Sequence, residues 1–103
     1  MSENLDAVIG EAWKAHREGD NENAHARFQE ILQQEPEHTD ALYGLGLVLK
    51  ANGDANGARG TFERLHDILN KLIDDADLDD ANRFRMEARM VKQQLEILAN
   101  DTQ

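Results

Sequence analysis

Three carboxylates alternate in the stretch DDADLDD, at Asp75, Asp77 and Asp79, as the first oxygens of a calcium loop do. Such a loop also needs a Gly at its sixth place and a bidentate Glu at its twelfth, where Asp80 and Met86 stand. The acids suit instead the N-terminus of a following helix, whose dipole favours negative charge. His16, His25, His38 and His66 show no ligand spacing, since none lies four residues from another His or a Cys on a helix, so no metal site is implied. Ser occurs once, at Ser2, and Cys not at all, which leaves no serine or cysteine triad and no disulfide. The glycines of YGLGLVL sit inside a helical pattern, where they serve packing rather than phosphate binding. No catalytic set, cofactor or small-molecule substrate is expected, and the chain reads as a non-enzyme.

The residues left to carry a function are aromatic and basic, and the elements that position them come from a repeat. Gly19, Asp20, Ala24 and Phe28 recur as Gly53, Asp54, Ala58 and Phe62, a shift of 34 residues. Asp6 and Ala7 likewise meet Asp40 and Ala41. A fixed period in this range marks stacked helix pairs. Within each unit, apolar residues at helical spacing (Leu5, Val8, Ala12, Ala15; then Ala24, Phe28, Ile31, Leu32) flank a Gly-Asp turn. Gly19 and Gly53 suit a helix C-terminus, and Asp20 or Asn21 suits the next N-cap. Pro36 ends the second helix and Thr39 is placed to cap the third. The small residues Ala12, Gly46, Ala24 and Ala58 let paired helices approach closely. The pattern predicts five helices near 3–18, 21–34, 39–51, 55–74 and 80–99, with no strand.

Length and composition agree. With 103 residues, 40 % hydrophobic and 31 % charged, the chain has the means for one small folded domain. Its net charge of −10 argues against attraction to nucleic acid or anionic lipid. No apolar run is long enough to span a bilayer, the first residues show no signal-peptide pattern, and the lack of Cys fits a reducing compartment, so a cytoplasmic location is expected.

These motifs resemble the tetratricopeptide (TPR) repeat family. They are the small Ala12 and Gly46 midway along the first helices, the Gly-Asp turns, Ala24 to Phe28 and Ala58 to Phe62, and the closing Pro36. The resemblance covers roughly residues 5–70 and implies an all-α, right-handed superhelix of antiparallel helix pairs. Repeat one would span 5–38 and repeat two 39–74, with a capping helix over 80–99, all in a single domain over 1–103. The sequence departs from the family where an aromatic is usual in the first helix, since Val8, Ala15, Leu42 and Leu49 stand there. Asn70 replaces the second closing Pro, so the fourth helix is expected to run long.

The fifth helix carries a core stripe of Ala81, Phe84, Ala88, Val91, Leu95 and Leu98. Its start parallels the first helix, as if a third unit began and stopped. Met86, Met90 and Ile97 form a second stripe nearly opposite. Either they are partly buried against the preceding helix, or they mark a homodimer or partner contact, for which Met-rich faces are suited.

The resemblance implies that the first helix of each pair lines a concave groove holding a peptide or a partner's helix, as in a protein-binding adaptor or scaffold. One residue round the wheel from the core stripes lie Ile9, Trp13, His16 and Arg17, then Tyr43, Leu47 and Lys50, then Arg85, Arg89 and Lys92. This set holds the only Trp, the only Tyr and five of the eleven basic residues. It suits an acidic peptide with an apolar anchor. The competing reading is that Trp13 and Tyr43 simply fill space between helices. A carboxylate clamp of the kind some members use is broken here, because Ile9 and Trp13 occupy its first two places.

Overall fold

A computed structural model describes residues 4–101. Five helices follow one another: α1 (Leu5–Arg17), α2 (Asn21–Gln34), α3 (Thr39–Ala51), α4 (Ala55–Asp75) and α5 (Leu78–Asp101). No strand occurs among the described residues. Consecutive helices pack side by side in a body of 45 × 36 × 20 Å. Since one helix with its side chains is roughly 10 Å across, the short dimension corresponds to two layers.

The repeat is visible bond by bond. Gly19 and Gly53 adopt φ of 78° and 85°, a region costly for any residue with a Cβ. Around the first, the N–H groups of Gly19 and Asp20 return to the carbonyls of His16 and Ala15, at 3.1 and 2.8 Å. Around the second, those of Gly53 and Asp54 return to Lys50 and Leu49, at 3.1 and 2.9 Å. Each Asp then caps the next helix, Asp20 accepting from the N–H of Asn23 and Asp54 from that of Gly57. The same short sequence thus builds the same helix stop and helix start twice.

Two expectations shift at helix starts. His38, not Thr39, caps α3: its Nδ1 accepts the N–H of Ala41 at 3.1 Å. The turn closed by the His38 N–H on the Glu35 carbonyl places His38 just outside the helix and Thr39 inside it. Helix α5 begins at Leu78, two residues earlier than expected. Asp77 takes the N–H of Asp80 on its carboxylate and that of Ala81 on its carbonyl. The acid-rich stretch therefore serves a helix N-terminus, and Asp79 and Asp80 lie in the first turn. Position 3, the expected start of α1, and Ser2 lie outside the described residues.

The core is organised about α3. Phe28 of α2 and Phe62 of α4 are both fully buried. A Cβ built on Gly44 would clash with the edge of the Phe28 ring, and one on Gly46 with that of the Phe62 ring. Two positions apart on a helix are about 200° apart, so the rings grip α3 from opposite flanks. This is why a helix contains two glycines despite their low propensity. Trp13 meets Phe28 edge-on at 5.1 Å, and Tyr43 meets Phe62 at 5.7 Å. Helix α4 has 21 residues against 14 in α2, and α5 lies along it through Ala88, Val91 and Leu98. Phe84 and Leu95 of the expected stripe are partly buried against the same cluster.

Candidate partner-binding cleft

Helices α1, α3 and α5 meet at two junctions, and these differ. Between α1 and α3, the indole N–H of Trp13 donates to Asp40 at 3.1 Å. Trp13, Ile9 and Leu5 are partly buried against the first core cluster. Together they fill this junction. His16, also half-buried, stands edge-on to Trp13 at 5.8 Å, and its Nδ1 is shielded with no partner among the described residues. Arg17 is exposed at the end of α1.

Between α3 and α5 a cleft of about 320 Å³ stays open. Thr39, Asp40 and Tyr43 line one wall, Glu87, Met90 and Val91 the other, and Leu65 and Leu69 of α4 lie between them. At the far end of α3 the gap closes where Lys50 donates to Gln94 at 3.0 Å. Leu47 is half-buried on α3 between Tyr43 and Lys50.

Helix geometry explains which α5 residues reach this junction. Glu87, Met90 and Gln94 each precede a core residue, Ala88, Val91 or Leu95. The expected Arg85, Arg89 and Lys92 each follow one, which sets them about 200° away round the helix. All three are exposed and none lines the cleft; Arg85 bonds instead to Asn82 at 3.2 Å. At both junctions the earlier helix presents the flank that follows its core residues (Trp13 after Ala12, Tyr43 after Leu42) and the later helix the flank that precedes them (Asp40 before Ala41, Glu87 before Ala88). The added length of α4 also carries the start of α5 past the N-terminal end of α3, so later residues of α5 come opposite Tyr43. The basic wall expected from sequence is therefore not formed beside Tyr43, and the charged residues there are Asp40 and Glu87.

Partial burial raises the Glu87 carboxyl above its usual range; Arg83 opposes this and Asp40 adds to it. Arg83 is itself engaged elsewhere, 3.6 Å from Asp80 and over the Phe84 ring at 5.0 Å. No three His, Asp or Glu side chains converge to hold a metal ion among the described residues. No helix there is long and apolar enough to cross a membrane.

Along α5, Met86 and Met90 are 66 % and 49 % exposed and Ile97 is 37 % exposed, with Met90 also bordering the cleft, so burial against α4 does not account for this stripe. With Leu78 they are the exposed large hydrophobics of the described residues, and all four lie on α5. The acidic side of the cleft was not expected, although Glu87 could have been found by asking which flank of α5 faces back toward α3.

The family model for the tetratricopeptide repeat matches residues 15–89, a span holding both Gly-Asp turns, both buried Phe residues and the cleft-lining part of α3. No curated protein matches the sequence. Repeats of this kind are typically protein–protein interaction modules rather than catalysts. With most of its length matched and its turns repeated bond for bond, the chain belongs to the tetratricopeptide repeat family.

Proposed function

We propose that this chain is an adaptor or scaffold module that holds a peptide or partner helix along the inner surface formed by α1 and α3, anchored in the cleft between α3 and α5. The observation that carries the reading is the open apolar cleft beside Tyr43, at a place where the equivalent junction one unit earlier is filled by Trp13. Tyr43, Leu65, Leu69 and Met90 supply an apolar seat. Ile9, Trp13, His16, Leu47 and Lys50 continue the surface on either side. Aromatic residues in partly desolvated clefts tend to dominate binding energy. Peptide ligands selected against the full chain from an unbiased display library should lose about ten-fold or more in affinity on Tyr43→Ala. They should change little on Glu63→Ala, an exposed position of α4. Ligands indifferent to Tyr43→Ala would remove this reading.

A second reading is favoured by the exposed stripe: self-association of two chains through Met86, Met90 and Ile97. Sedimentation at roughly 100 µM, where a weak dimer is populated, should then show a dimer that Met86→Glu dissociates. Met86 does not line the cleft, so this variant tests the stripe alone. A monomer at that concentration removes the second reading.

A further inference from the structure

We infer that the occupant of the α3–α5 cleft is an arginine side chain carried on an amphipathic segment of a protein partner, seated between Asp40 and Glu87 with its aliphatic stem on Leu65, Leu69 and Met90. This rests on the adaptor reading above and names the chemistry of its partner. The first ground is charge. Two carboxylates line the same cleft from opposite walls, and no lysine or arginine does. The nearest candidate to neutralise Glu87 is Arg83, one turn earlier, but it lies against Asp80 and over Phe84. Glu87 makes no ion pair among the described residues. The electrostatic cost of holding Glu87 partly buried near Asp40 is visible in its raised pKa, and a cation placed between the two would relieve it.

The second ground is shape. The walls and floor other than those carboxylates are mainly apolar, with Tyr43, Leu65, Leu69, Met90 and Val91 in contact with the space. A strongly hydrated ammonium gains little in such a setting. A guanidinium is more weakly hydrated, is planar, stacks on aromatic faces and forks to carboxylates, and its stem covers apolar surface. The third ground is geometry at Asp40. Trp13 bonds to one of its oxygens, Oδ2, which fixes the carboxylate in place and leaves Oδ1 for a second donor.

The test uses the full chain and three synthetic amphipathic peptides of about 15 residues, long enough for four helical turns. They are identical except that two flanking positions carry Arg, citrulline or Glu. Binding is read from the NMR signal of the Met90 methyl group and from the fluorescence of Trp13. The Arg peptide should bind about ten-fold tighter than the citrulline peptide at low salt, with the margin narrowing as salt screens the contact. The Glu peptide should bind more weakly still. Glu87→Gln should lower the affinity of the Arg peptide about three- to ten-fold and leave that of the citrulline peptide nearly unchanged. Circular dichroism confirms that the variant is folded.

Equal binding of the Arg and citrulline peptides, tighter binding of the Glu peptide, or an Arg preference indifferent to Glu87→Gln would each overturn the inference. If the Glu peptide shifts the Met90 methyl, the adaptor reading stands and only the arginine falls. If no peptide shifts it at about 1 mM, the inference falls. The adaptor reading falls with it only when display-selected ligands also ignore Tyr43→Ala.

Discussion

The junction between α1 and α3 and the junction between α3 and α5 start from nearly the same local sequence and end as different surfaces. The first is closed by a large aromatic bonded across to Asp40; the second is open, apolar inside and acidic at its walls. The Gly-Asp turns that follow α1 and α3 are equivalent down to their hydrogen bonds, so the difference does not arise there. It arises from helix length and from one side chain. The long α4 displaces α5, and Leu47 stands where the preceding unit has Trp13. In a helical repeat, then, local motifs specify the unit, while the length of one connecting helix and one side chain decide whether the next junction is filled or left open.

The largest effect that bears on this comparison is expected in its shared foundation. Phe28 and Phe62 are equally buried, each against a glycine of α3. Phe28→Ala and Phe62→Ala should each cost about 3–5 kcal/mol in urea denaturation. A cost under about 1 kcal/mol at either site would mean that the two units are not packed alike. An intermediate effect separates the two junctions themselves. Trp13→Phe keeps an aromatic ring but loses the donor to Asp40, and should cost about 0.5–1.5 kcal/mol. Tyr43→Phe should cost nearly nothing, because its hydroxyl has no protein partner among the described residues. Similar costs for the two substitutions would erase the contrast between a sealed and an open junction.

The smallest effect concerns Glu87. Burial raises its pKa in the folded chain, so folding favours its protonated form. Its contribution to stability is fully present below the unfolded-state value of 4.5 and is lost as pH rises through the raised folded value. Glu87→Gln should therefore raise the melting temperature slightly at neutral pH, by an amount worth no more than about 0.5 kcal/mol for a group only partly buried, whose charge water still screens. The gain should vanish below the unfolded pKa. A loss of stability at neutral pH would indicate that Glu87 already has a cationic partner in the isolated chain.

Much of the fold is legible in the sequence because it rests on short-range rules. The Gly-Asp turns, the Ala-x-x-x-Phe pairs and the glycines of α3 each encode a contact within one unit or with its neighbour. The helix ends fall within a few residues of expectation for the same reason. His38 displaced Thr39 as a cap because the turn geometry after Pro36, not residue preference alone, decides which residue stands outside the helix. The cleft was legible only in half. Tyr43 sits on a helix whose neighbours on both sides are fixed by the repeat. Glu87 and Met90 reach Tyr43 only because of how far α5 has slid and which way it faces, quantities that depend on α4 as a whole and appear in no local motif.

The clamping of α3 between two phenylalanine rings also governs how the molecule comes apart. Repeat proteins often fray one unit at a time, because each unit touches only its neighbours. Here α3 supplies Leu45 and Val48 to one core cluster and Leu42 to the other, while Leu49 packs against both. Pulling either Phe away leaves α3 with a bare flank, so neither repeat is free to dissolve alone. Amide protons at the centre of α3 should exchange last, at the free energy of global unfolding, while both terminal helices exchange through smaller local openings. Denaturation followed helix by helix should accordingly show the described helices losing structure in one shared transition, held together through α3.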